Sequence, residues 1–219
     1  MVLFNYSITL DYFNLVKLPS SYLYHYILPI SIASIFIFMS GVAAYVSYEK
    51  HKDKFTRKYF IRGVKLLFFA ILITLFTYIF VYPNTIYFGI LHFFAVTSFL
   101  IPIFLKYNKL NLFAGLSIII SGIYLQQQTF NFSYLFWLGF VPKNFTTFDY
   151  FPMIPWLGVI LLGVYYGRYI VEKTANINFK GRVSSSFIFL GKNSLTVYLI
   201  HQPILILLLF VFGFNTGII

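Results

Sequence analysis

A chain of 219 residues that is 60% hydrophobic and only 10% charged is too oily for a soluble domain, in which roughly 25% of residues are charged. Its net charge of +11 invites a nucleic-acid reading, but a mean hydropathy of +0.83 sets the positives between long apolar runs, where anionic lipid headgroups account for them. Cysteine is absent, so there is neither a disulfide framework nor thiol chemistry.

Seven apolar segments follow in chain order. The first, Met1 to Leu15, falls short of the ~20 residues of a full span, so either the span is a short one or the natural start lies upstream and this helix is truncated. The second runs from about Leu23 to Tyr48 and enters a basic loop, Glu49 to Arg62. The third, about Phe60 to Tyr82, ends at the turn signal Pro83-Asn84. The fourth runs from Ile86 to about Leu105 and the fifth from Leu110 to about Leu125, with the basic loop Lys106 to Lys109 between them. From Gln126 to Tyr150 the chain is polar apart from Phe132 to Val141, a patch too short to span and expected to be interfacial or re-entrant. The sixth span, Phe151 to about Tyr169, leads into the polar segment Glu172 to Ser186. The seventh starts between Phe187 and Ser194 and ends near Phe214. The expected fold is therefore all-α, a polytopic transmembrane helix bundle forming one integral membrane domain over residues 1–219.

Threading these segments alternately through a bilayer sorts the cations. Lys50, Lys52, Lys54, Arg57, Lys58, Arg62, Lys65, Lys106, Lys109, Arg168, Lys173, Lys180, Arg182 and Lys192 fall on one face; Lys17 and Lys143 fall on the other. Lys and Arg in short loops stay cytoplasmic. The expectation is a multi-pass protein of the cell membrane with its basic loops inside.

Ionisable side chains near mid-bilayer are costly, by ~2.5–3.5 kcal/mol on insertion scales, and invite a functional reading. His92 lies about a third of the way into the fourth span, with Gly89 one turn earlier leaving room on its face. His201 shares a helical face with Ser194 and Tyr198, and Pro203 frees the carbonyl of Leu199 within the bundle. His25 sits among tyrosines at the outer mouth of the second span, where an interfacial anchor is the competing reading. Asp149 precedes a Pro-rich entry and is placed to cap the sixth helix or to orient an external histidine. No carboxylate pair or histidine pair has metal-ligand spacing, so no metal is expected.

Three phrases carry a resemblance. They are Ile86-Tyr87-Phe88-Gly89-Ile90-Leu91-His92-Phe93, Asp149-Tyr150-Phe151-Pro152-Met153-Ile154-Pro155-Trp156-Leu157-Gly158-Val159, and Leu190-Gly191-Lys192-Asn193-Ser194-Leu195-Thr196-Val197-Tyr198-Leu199-Ile200-His201-Gln202-Pro203. Together they resemble the microbial branch of the heparan-α-glucosaminide N-acetyltransferase-like membrane proteins, more distantly related to the membrane O-acyltransferases. The resemblance implies a membrane enzyme that uses cytosolic acyl-coenzyme A as co-substrate to acylate a sugar amine or hydroxyl on the far side. Related acyltransferases often carry a histidine shortly after the apolar part of the first helix; here the matching slot holds Asn5.

The residues fit such chemistry. An anionic carrier needs cations, and Arg62, Lys65, Arg168 and Lys192 lie at the basic helix ends. Deprotonating an amine or hydroxyl suits a neutral imidazole, from His201, His92 or His25. Asn193, Ser194 and Tyr198 can add hydrogen bonds. The partners expected are the bilayer, a glycan or other external acceptor and a second copy in a homodimer, but no nucleic acid. A small-molecule transporter, or an accessory membrane subunit without catalysis, is the competing reading.

Overall fold

The computed structural model describes residues 2–12, 15–19, 21–80 and 82–174, and beyond them positions 189, 191, 197, 201, 204 and 208. Every regular element among the described residues is helical; two isolated backbone bridges, Phe88 with Tyr150 and Phe130 with Pro142, are the sole strand-like pairings there. The chain divides into two compact units, residues 1–33 with 176–219, and residues 34–175.

In the first unit, α1 (Val2–Tyr12) carries an apolar sequence broken by polar positions that find partners. The hydroxyls of Ser7 and Tyr24 lie 2.6 Å apart, and the Phe4 and Tyr24 rings 5.6 Å apart. Asp11 Oδ1 accepts the backbone N–H of Leu18 at 2.9 Å, which turns the chain after α1. A π-turn at Leu23–Ile27 then leads directly into α2 (Leu28–Lys50). Positions 189, 191, 197, 201, 204 and 208 are helical; the rest of the seventh predicted span, with Lys192, Asn193, Ser194 and Tyr198, lies outside the described residues.

The second unit holds α2 from Ser34 onward, α3 (Phe55–Phe80), α4 (Ile90–Phe104), α5 (Asn108–Leu125) and α6 (Met153–Thr174). Among the described residues four helical stretches are long and apolar enough to cross a membrane: Leu23–Lys50, Lys52–Phe80, Asn108–Leu125 and Met153–Lys173; Ile90–Phe104 is apolar but shorter. On α3 the inward stripe is Phe55, Tyr59, Gly63, Leu66, Ala70 and Thr77, at helical spacing. Its outward face is equally apolar, with Phe60, Phe68, Phe76 and Ile79 exposed. Water cannot solvate such a face; hydrocarbon can, and the closed backbone bonding of a helix is what hydrocarbon demands.

Oily helices gain little from hiding more oil, so close approach of small residues holds them together. Gly41 of α2 and Gly163 of α6 meet backbone to backbone: a Cβ on Gly163 would strike the Phe38 carbonyl, and one on Gly41 the Ile160 carbonyl. One turn on, Gly167 lies against Tyr45, so α2 and α6 run parallel. Gly158 of α6 faces Gly115 of α5, and Gly122 lies against Pro155, so α5 and α6 are antiparallel. These contacts collect Lys50, Lys52, Lys54, Arg57, Lys58, Lys106, Lys109, Arg168 and Lys173 toward one end of the unit, here termed the basic end.

Several predicted boundaries move. The basic segment Glu49 to Arg62 is not a loop. A 3₁₀ turn at Lys52–Lys54 joins α2 to α3, and α3 begins at Phe55, so Arg57, Lys58 and Arg62 are helical. Long cationic side chains keep their charges in water while their stems lie along an oily helix. The fourth helix starts at Ile90 rather than Ile86, because residues 84–89 are paired elsewhere. At the other end of the chain's polar break, α6 continues to Thr174.

Candidate functional site

Residues 84–89 and 148–151 run side by side at the end of the second unit opposite the basic end. Phe148 N–H donates to Asn84 O at 3.4 Å, and Phe151 N–H to Phe88 O at 2.9 Å. This pairing carries Asp149 onto the first turn of α4, where Oδ2 accepts the Ile90 backbone N–H at 2.9 Å. Asp149 thus caps the fourth helix and not the sixth, which it directly precedes in sequence. A carboxylate there satisfies an orphan N–H and meets the positive end of the helix dipole. Gly89 makes the approach possible, since a Cβ at that position would collide with the Asp149 carboxylate. The carboxyl is turned inward, and burial pushes its pKa up to about 6, with the Ile90 N–H pulling the other way.

His92 belongs to the same turn and is half-buried. Gly89 N–H donates to Nδ1 at 3.3 Å, so that nitrogen is the acceptor and the proton sits on Nε2. Nε2–H faces Thr74 Oγ1 at 3.2 Å, and the Thr74 hydroxyl passes its own proton to Ile86 O at 2.7 Å. A relay therefore runs from α4 through α3 to the 84–89 segment. An aromatic cluster roofs it: Phe88 lies 5.7 Å from the His92 ring, and Tyr150 donates from its hydroxyl to Phe136 O at 2.6 Å. Burial lifts the Tyr150 phenol to about 12, so it stays a donor. The patch Phe132 to Val141 forms a compact loop around a 3₁₀ turn at Phe136–Leu138, and Gly139 closes it at φ +125°, a conformation that favours glycine.

His201 lies in the first unit, half-buried. Its Nδ1 sits 3.2 Å from Val197 O, one turn back, which places a proton on Nδ1 and leaves Nε2 as acceptor. Nε2 is 3.2 Å from Asn5 Nδ2, so the asparagine in α1 donates to a histidine 196 residues later. The sequence marks both ends of this contact, Asn5 as the residue in the expected histidine slot and His201 in the last phrase, but not their meeting. His25 stands in the π-turn, exposed, its ring edge-on to Tyr24 at 5.7 Å.

Three of the predicted carrier-binding cations are among the described residues. Arg62 lies over the Tyr59 ring at 5.2 Å, Lys65 is exposed on α3, and Arg168 pairs with Glu172 at 3.0 Å on the surface of α6. The remaining predicted residues, Lys192, Asn193, Ser194 and Tyr198, are outside the described region.

The family model described as "Heparan-alpha-glucosaminide N-acetyltransferase, catalytic" matches residues 1–203 of the chain. No curated protein and no solved structure matches it. The matched stretch contains both polar clusters, from Asn5 through His92 and Asp149 to His201.

Proposed function

The chain belongs to the heparan-α-glucosaminide N-acetyltransferase family, and from that premise we propose that it moves an acetyl group from acetyl-coenzyme A to the amine of a terminal amino sugar. The single observation carrying this reading is the match over residues 1–203, and the Asn5–His201 contact gives it a chemical centre. In the reaction the amine nitrogen forms a bond to the thioester carbonyl carbon, the C–S bond breaks, the amine proton passes to a base and coenzyme A leaves as its thiol.

His201 is the proposed base. Its Nε2 accepts an N–H from Asn5 at 3.2 Å, which is the interaction an incoming amine would make. When the amine takes that place, the Asn5 amide becomes a donor for the carbonyl oxygen as negative charge builds on it, the kind of aimed dipole that stabilises such transition states. Val197 O holds Nδ1–H and fixes the ring. His92, Asp149 and His25 are secondary acid–base candidates. His92 ranks below His201 because its bonds to Gly89 and Thr74 tie both ring nitrogens to the frame of α4.

The donor is proposed to enter from the basic end, taken as cytoplasmic by the excess of Lys and Arg there. Arg62, Lys65 and Arg168 of the second unit are the proposed contacts for its phosphates. Purified protein in liposomes, given acetyl-coenzyme A and a panel of glucosamine-terminated acceptors, should yield N-acetylated product by mass spectrometry. No product across the panel, with acceptor or donor crossing the vesicle wall instead, would establish the transporter reading.

A further inference from the structure

Between the basic ends of α2 and α3 lies an open groove of about 430 Å³ that the acetyl-transfer chemistry does not use. Its walls are Met39, Val42, Ala43 and Val46 of α2, and its mouth is Ser47, Lys50, His51 and Lys58. We propose that this groove binds one anionic phospholipid, its acyl chain along the α2 wall and its phosphate at the lysines.

Three observations specify the occupant. The first is length. From Met39 to Lys50 the helix rises roughly 16 Å at 1.5 Å per residue, about half of a ~30 Å hydrocarbon core. The groove is therefore one leaflet deep and ends at headgroup level, which suits a bilayer lipid and exceeds the need of a small anion. The second is charge. Segment 49–58 holds five cations against two carboxylates, and Glu49 is engaged by Lys52 at 3.3 Å, away from the mouth. Among the described residues neither Lys50 nor Lys58 is in an ion pair. The third is preorganisation. Lys58 Nζ donates to Ser47 Oγ at 2.9 Å across the two helices, and the His51 ring nitrogen Nδ1 lies 3.4 Å from Ser47 O. The Tyr48 and Phe55 rings meet edge to face at 5.5 Å where α2 turns into α3. Lys58 of α3 is thus held on a hydroxyl of α2, with Lys50 lining the same mouth, at the level where a lipid phosphate sits.

The test is native mass spectrometry of the full chain released from nanodiscs of mixed phosphatidylglycerol and phosphatidylcholine. Wild type is expected to retain one phosphatidylglycerol in preference to phosphatidylcholine. Lys50→Gln and Lys58→Gln should each weaken retention about fivefold, the worth of one juxtamembrane cation. Ala43→Phe changes no charge but fills the groove, and should abolish retention; Lys106→Gln with Lys109→Gln should leave it unchanged. Retention by the K50Q/K58Q and A43F variants at the wild-type level would overturn the proposal. So would equal retention of the two lipids, or displacement of phosphatidylglycerol by inorganic phosphate or by coenzyme A, which would mark a general anion site or a donor site.

Discussion

Asp149 accepts the backbone N–H of Ile90 at 2.9 Å, so the cap of α4 is supplied from the loop that leads into α6. The contact ties three stretches of chain together at one point: the 84–89 segment, the first turn of α4 with His92, and the end of the long 126–152 loop. Removing the side chain with Asp149→Ala should cost about 1 kcal/mol for the lost cap, read as a lower melting temperature in detergent. Asp149→Asn keeps an acceptor and should retain most of that stability.

The same carboxyl predicts a pH dependence. Its folded-state pKa of about 6 stands above the ordinary aspartate value of 3.8 because burial disfavours the charge. The folded state therefore holds a proton that the unfolded chain has already lost. The contribution to stability is full below about 3.8 and disappears as pH rises through about 6. Thermal melts between pH 4 and 7 should show wild type losing stability on the order of 2 kcal/mol across this window, and Asp149→Asn losing less. Identical slopes for the two proteins would remove the assignment.

The α2–α6 crossing rests on bare backbone. Gly163→Leu must push α6 away from the Phe38 carbonyl, with an overpacking cost of ~1–3 kcal/mol. Gly191→Ala makes a suitable comparison, because among the described residues nothing lies within 4 Å of the added carbon. Melting curves of the two variants should separate clearly, with only the first lowered.

Thr74 joins α3 to α4 through the His92 ring. Thr74→Val keeps the shape and removes the hydroxyl, leaving His92 Nε2–H and Ile86 O without that partner. A loss of about 0.5–1.5 kcal/mol is expected for hydrogen bonds between such half-buried groups. Thr74→Ser should restore most of it, which an effect of packing volume would not.

Much of this was legible in the sequence. The oily composition and the segment lengths give a helical membrane bundle, and the second to sixth segments all appear as helices, five from Leu28 to Thr174. The room that Gly89 leaves beside His92 is taken by the Asp149 carboxylate, a side chain from far along the chain. What was misplaced depended on partners far along the chain. Asp149 reads from sequence as a cap for the sixth helix or as a group that orients a histidine; that it caps α4 instead follows from the pairing of 148–151 with 84–89, which nothing local announces. The cations from Lys50 to Arg62 read as loop because charge was equated with exposure of backbone, whereas long side chains let the helix continue beneath them. The Gly41–Gly163 and Gly115–Gly158 contacts went unread, since glycines in an apolar run reveal their facing partner only once the helices are paired. Asn5 was noticed for what it replaced, and its contact with His201 requires the two ends of the chain to meet.

His201, held by Val197 and facing Asn5, is the proposed base in acetyl transfer to an amino sugar. Its most direct test is transfer of labelled acetyl from acetyl-coenzyme A to a glucosamine-terminated acceptor by reconstituted wild type and His201→Ala, with melting curves to verify that both fold. The account predicts labelled N-acetyl product from wild type and a rate lower by roughly 10²–10⁴-fold in the variant, the usual worth of an acid–base group. A folded His201→Ala protein that acetylates at the wild-type rate would contradict it.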